Sequence, residues 1–130
     1  MVPPRLTTLD SPTSEALLLS KLLSLYAEEK RIYQRILQLT RQQGQIVRSG
    51  GEIRDVRRIL EQKRDCLDSI ARLEGAEGSN RRSWEEGRDR WSGSARARLQ
   101  SAIQEVANLV EAILASEEQN DRLLLAQGRA

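Results

Sequence analysis

The 130-residue chain contains no histidine and no phenylalanine. Without histidine it lacks the side chain that most often acts as a general base near neutral pH, and the commonest protein ligand of zinc, copper and iron. A single cysteine, Cys66, excludes an intrachain disulfide and any paired-cysteine zinc site. Aromatic residues make up only 3%, two Trp and two Tyr. A compact enzyme core is hard to build from that, whereas helices zipped by Leu and Ile are easy. No phosphate-binding loop is present, since Gly50-Gly51 has neither the flanking strand nor the lysine. No apolar run approaches the roughly 20 residues of a membrane span. The N-terminus has no basic region followed by an apolar core, so no secretory leader is expected and a cytoplasmic location is. These absences argue against an enzyme, against a metal and against a cofactor.

Charge of one sign is also scarce. Lys and Arg total 21 against 19 Asp and Glu, a net charge of +2. The basic residues peak at Arg81, Arg82, Arg88, Arg90, Arg96 and Arg98, but Glu85, Glu86 and Asp89 interrupt them. That pattern reads as a solvated mixed-charge loop rather than the concentrated stripe of a nucleic-acid binder. No nucleic-acid partner is expected.

What the chain does have is helix. Leu99, Ile103, Val106, Val110, Ile113, Glu117, Asn120 and Leu124 alternate four and three apart, the seam of a long amphipathic helix over about 94–126. Ala102, Leu109 and Leu123 form a second row beside it, with Ile113 and Leu114 adjacent in the middle. Two rows make a face too wide for one partner helix. Leu18, Leu22, Leu25, Glu29, Ile32, Ile36, Leu39, Gln43 and Ile46 define an earlier helix over 12–48, opened by Ser11-Pro12 and closed by Ser49-Gly50-Gly51. Ile53, Val56, Leu60, Lys63, Leu67 and Ile70 define a third over 52–73, ended by Gly75 and Gly78.

The short Gly-Gly connection forces the first two helices into an antiparallel hairpin. Residue numbers across it should sum to about 99, setting Leu39 against Leu60 and Ile32 against Leu67. Glu29 and Lys63 fall about two turns out of register, so they are expected at the seam edge with their heads in water. Residues 74–93 read as a loop or short helix, with Ser83 and Glu86 at capping-box spacing. Trp84 and Trp91, seven apart, would share a face, either capping the open end of the bundle or standing exposed as an aromatic anchor for a partner. Residues 1–11 read as a disordered tail, leaving 12–127 as one helical domain. The expectation is an all-α, antiparallel three-helix bundle with long, coiled-coil-like helices.

A family resemblance accompanies this pattern. The stretch "LLSLYAEEKRIYQRILQLTRQQGQIVRSGGEI", then "VRRILEQKRDCLDSIARLE", then a loop and a last helix ending "EQNDRLLL", resembles flagellar export chaperones of the FlgN type, and less closely the FliT type. The local cues are Leu60-Glu61-Gln62-Lys63 and Glu118-x-Asn120-x-x-Leu123-Leu124. The arginine-rich loop with two tryptophans departs from the pattern. The resemblance implies a cytoplasmic type III export chaperone, a monomer or weak dimer, that covers the C-terminal helices of hook–filament junction proteins and delivers them to an export gate component. It implies that the last helix binds the cargo, through Leu109, Val110, Ile113, Asn120, Leu123 and Leu124. Anchors three and four apart suit an amphipathic helix lying in a groove. The alternatives are a structural coiled coil forming an obligate homo-oligomer and a helical module binding nucleic acid through 81–98.

Overall fold

The computed structural model describes residues 12–129, so the expected tail over 1–11 lies outside the described residues. The described chain is helical almost throughout, with no strand among those residues. It has four α-helices rather than three: α1 Pro12–Arg48, α2 Ile53–Ala76, α3 Gly78–Glu86 and α4 Gly93–Arg129, with a 3-10 turn at Arg88–Arg90 before α4. The extra helix is α3. It arises because Gly75 and Gly78 do not stop the chain's helical course; α2 runs through Gly75, and only Glu77 breaks it. Ser83 therefore lies inside α3 and caps nothing.

The caps show why the other boundaries fall where they do. After α1, Gly51 N–H donates to the Ile46 carbonyl (2.8 Å) and Gly50 N–H to the Val47 carbonyl (3.2 Å). This is the paired C-terminal closure that needs a left-handed residue, and Gly50 supplies it at φ +69°. Before α4, the Ser92 hydroxyl accepts from the Ala95 N–H at 3.1 Å, the bond of an N-terminal cap. The helix so starts at Gly93, a residue the sequence pattern assigns to the loop.

α1 is the spine. Both α2 and α4 pack along it, whereas α2 and α4 scarcely approach one another. The α1–α4 contacts pair Glu15 with Ser92, Lys30 with Glu105, Thr40 with Asn120 and Val47 with Gln127. Those separations of 77, 75, 80 and 80 are nearly constant, so the two helices run parallel and in step along their whole length. Because α1 and α4 are both 37 residues long, α4 does not overhang the hairpin turn. α2 is shorter, at 24 residues, and at the other end α3 stands in for its missing part.

The main cluster of buried apolar side chains lies at that end. Leu19, Leu22 and Leu25 of α1 pack with Trp84 of α3 and with Ala95 and Leu99 of α4. Trp91 stacks on Trp84 with ring centroids 5.1 Å apart and donates its indole N–H to the Trp84 carbonyl at 2.6 Å. The tryptophans thus cap the end of the bundle, each ring covering apolar surface while the one polar hydrogen of Trp91 finds a partner.

A candidate helix-docking crevice

The centre of α2 is rotated from its expected seam. Ile59, Lys63 and Ile70 are buried against α1, whereas Leu60 and Leu67 are 49% and 54% exposed and Ile53 is exposed. The pairing of Leu39 with Leu60 and of Ile32 with Leu67 as core contacts is therefore corrected. α2 carries two overlapping apolar rows, and the row of Val56, Ile59, Cys66, Ile70 and Leu73 is the one set against the spine. The reason is Lys63. It is 8% exposed, not at a wetted edge, and its ammonium meets Glu117 of α4 and the Gln43 side chain of α1 at 3.2 Å. Placing Lys63 inward turns Leu60 and Leu67 to the side.

Gln43 lies about two turns from the position opposite Lys63 on α1. The reach is possible because side chains lean toward the N-terminus of their own helix. In an antiparallel pair the two side chains lean toward each other. Glu29 is likewise buried at 2% exposure, and its carboxylate accepts from Arg81 of α3 at 2.9 Å. Arg81 also faces Glu74 at 3.5 Å. Burial pushes the Glu29 carboxyl up, opposed by Arg81 and reinforced by Glu74. So both seam charges are buried, each with its own partner, and Arg81 belongs to the fold rather than to a solvated loop.

The Lys63–Glu117 pair marks the gap between α2 and α4, which it spans as an ion pair. Leu60 and Leu67, three before and four after Lys63, border that gap on α2. On α4 the border is formed by residues at helical spacing from Glu117: Ile103, Val110, Leu114 and Leu124. Leu114 is 62% exposed and Leu124 47%, with Ile103 and Val110 half-buried. By helical spacing, two apolar ridges therefore lie on either side of a crevice over α1 that the Lys63–Glu117 pair bridges. Single exposed leucines need no explanation, but two facing rows of them do.

The expected binding residues of α4 divide between two edges. Val110 and Leu124 border the crevice. Leu109 lies on the far edge of α4, in a shallow recess with Leu37, Gln38, Arg41 and Ala112, and Leu123 continues that edge. Ile113 lies between, half-buried toward α1. Asn120 is 2% exposed and donates to the Thr40 carbonyl at 2.8 Å, so it is committed to the fold. The ridge residues that sequence reasoning assigned elsewhere are Leu60 and Leu67 of α2 and Leu114 of α4. Their signal was present: α2 has more apolar residues than one contact with one spine can cover.

The Cys66 thiol is pushed up by burial, which disfavours the reactive thiolate. Among the described residues no cluster of acidic or cysteine side chains is placed to hold a metal ion. No described helix is long and apolar enough to cross a membrane. Compared with family models, curated proteins and solved structures, the chain matches none.

Proposed function

We propose that the protein is a non-enzymatic binding protein whose crevice between α2 and α4 takes up an amphipathic helix of another protein. One observation carries this reading: the apolar ridges of Leu60 and Leu67 and of Val110, Leu114 and Leu124 face the same gap and are left partly uncovered by the fold. A helix with apolar anchors three and four apart would cover both ridges at once. Affinity would come from a few buried leucine contacts, with the polar rim setting orientation.

The cargo follows from the resemblance of α1, α2 and the end of α4 to flagellar export chaperones of the FlgN type. On that reading the protein works in the cytoplasm, and the docked helix is a C-terminal helix of a hook–filament junction protein kept from aggregating before export. The test is size-exclusion chromatography with light scattering, on the protein alone and after co-expression with the hook–filament junction proteins of the same source. A monomer or weak dimer that becomes a stoichiometric complex, and fails to do so when Leu60→Asp and Leu114→Asp are combined, supports the reading. A stable oligomer indifferent to those proteins would overturn it and assign the ridges to self-association.

A further inference from the structure

The crevice continues beyond α2. Where α3 replaces α2 beside α4, it widens into a cleft of about 690 Å³. Leu22, Tyr26 and Trp84 form its apolar part, Arg81, Arg88 and Arg96 bring three guanidinium groups to it, and Glu85 brings one carboxylate. Ile103, one of the α4 ridge residues, lines the cleft as well, so ridge and cleft are one continuous surface.

The cations there are incompletely matched. Arg96 is exposed and forms no ion pair among the described residues. Arg88 has one acidic neighbour, Glu85 at 3.9 Å, and both are exposed. Arg81 spends its terminal nitrogens on Glu29 and Glu74, but its Nε–H is buried with no acceptor. Along α4 the charge then changes sign. Arg96 and Arg98 near its start give way to Glu105, Glu111, Glu117, Glu118 and Asp121; Glu105 is paired with Lys30, Glu117 with Lys63 and Glu118 with Arg122, which leaves Glu111 and Asp121 as the acidic residues of this stretch without an ion pair among the described residues, before Arg129 closes the helix. The edge of α2, with Arg57, Glu61, Arg64 and Asp68, is mixed and sets no polarity.

We infer that the docking crevice is polarised, and that its arginine cleft receives the acidic end of the docked helix, with glutamate or aspartate side chains lying beside its last apolar anchor. This rests on the helix-docking reading and adds the partner's charge pattern to it. The α4 edge favours a helix with acidic residues at the cleft and basic residues toward Glu111 and Asp121. Guanidinium groups suit this role because their planar fork matches a carboxylate, and an apolar floor excludes water from the pair.

The tryptophans give a direct readout. Trp84 and Trp91 are the only two in the chain, and they stack beside the cleft. Two synthetic peptides are compared, each of about 20 residues and so about 30 Å as a helix, both lacking Trp and sharing one Leu/Ile stripe. The first carries two Glu in its N-terminal turn and Lys at its other end. The second has Lys in place of those Glu. Binding is followed by anisotropy of a label at the far end and, separately, by tryptophan emission. The acidic-ended peptide should bind about tenfold tighter, the discrimination a few exposed charge pairs supply. It should also shift the tryptophan emission. Combining Arg88→Glu with Arg96→Glu, both exposed positions, should reverse the preference. Equal binding of both peptides, a preference that survives the double substitution, or binding without change in emission would each overturn the inference while leaving the crevice reading in place. Failure of both peptides to bind would overturn the two together.

Discussion

Gly44 of α1 lies directly beneath the amide of Asn120 of α4. A Cβ at position 44 would collide with the Asn120 Oδ1, while the Asn120 Nδ2 donates to the Thr40 carbonyl one turn earlier. The close approach explains a glycine in the interior of a 37-residue helix, where it costs about 1 kcal/mol relative to alanine. It also makes a prediction of changing sign. Gly44→Ala should destabilise the protein by about 1–3 kcal/mol through overpacking. In an Asn120→Ala background the same change should stabilise it, since propensity is gained and the collision is gone. Urea denaturation of the four proteins decides the matter. An equal effect in both backgrounds would mean that the two residues do not meet.

The Lys63–Glu117 pair should behave as a buried charge rather than a surface one. Glu117→Ala leaves the ammonium with Gln43 alone and should cost about 1–3 kcal/mol. Replacing both partners with apolar residues of similar length, Lys63→Met with Glu117→Leu, should recover that loss. Midpoints from thermal and urea unfolding report both. A double variant no more stable than Glu117→Ala would show that the pair contributes more than it costs to bury.

Glu29 predicts a pH dependence. Burial raises its carboxyl pKa in the folded protein, Arg81 opposing and Glu74 reinforcing the shift, with the Tyr26 and Tyr33 rings alongside. The folded state therefore holds the proton more tightly than the unfolded chain does. Stability from this group is fully present below the unfolded value and is lost as pH rises through the native one. Glu29→Gln, which keeps an acceptor for Arg81, should remove that dependence. The stability of the variant minus that of the natural protein should shrink as pH falls from about 7 to about 4.5. Urea titrations across that range measure the difference directly. A gap that widens toward acid would mean that the Arg81 bond outweighs burial.

The ridges predict a separation of stability from binding. Leu39, with 0% exposure, should lose about 2–5 kcal/mol on change to alanine. Leu67→Ala and Leu124→Asp should each stay within about 1 kcal/mol of the natural protein, because those side chains are half-exposed in the fold. Far-UV circular dichroism and melting temperatures check this without knowledge of the partner. A large loss for Leu124→Asp would place that residue in the core and remove it from the docking surface.

The helical class and the rough extent of the three long helices were legible in the apolar spacing, because period is a local property of each helix. The rotation of α2 was not. Two rows of comparable strength leave the choice of inward row to a polar residue, and the sequence pattern sets Lys63 at the edge because a lone lysine in a seam prefers water. Its partner, Glu117, sits 54 residues away and on a helix with which α2 has almost no other contact. The fate of Glu29 was hidden in the same way, since Arg81 looked like one arginine of a mixed-charge loop. The position of α4 along α1 is hidden for a different reason. Glycine at 75 and 78 suggests a break, but the two helical segments of the crossover, α3 and the 3-10 turn, shorten the return path and set the start of α4 beside the start of α1.

The parallel, in-step pairing of α1 with α4 also fixes an order of assembly. Contacts within the α1–α2 hairpin join residues such as Gln43 and Lys63, 20 apart, whereas those between α1 and α4 join residues 75 to 80 apart. Closing the larger loop costs more chain entropy and comes later. On a ribosome the difference is greater still, because α1 and α2 emerge complete before the last turns of α4 are synthesised. For that interval the hairpin presents, on α1, the whole apolar stripe that α4 will later occupy. Until α4 arrives to close it, the nascent chain therefore carries an uncovered amphipathic face on α1.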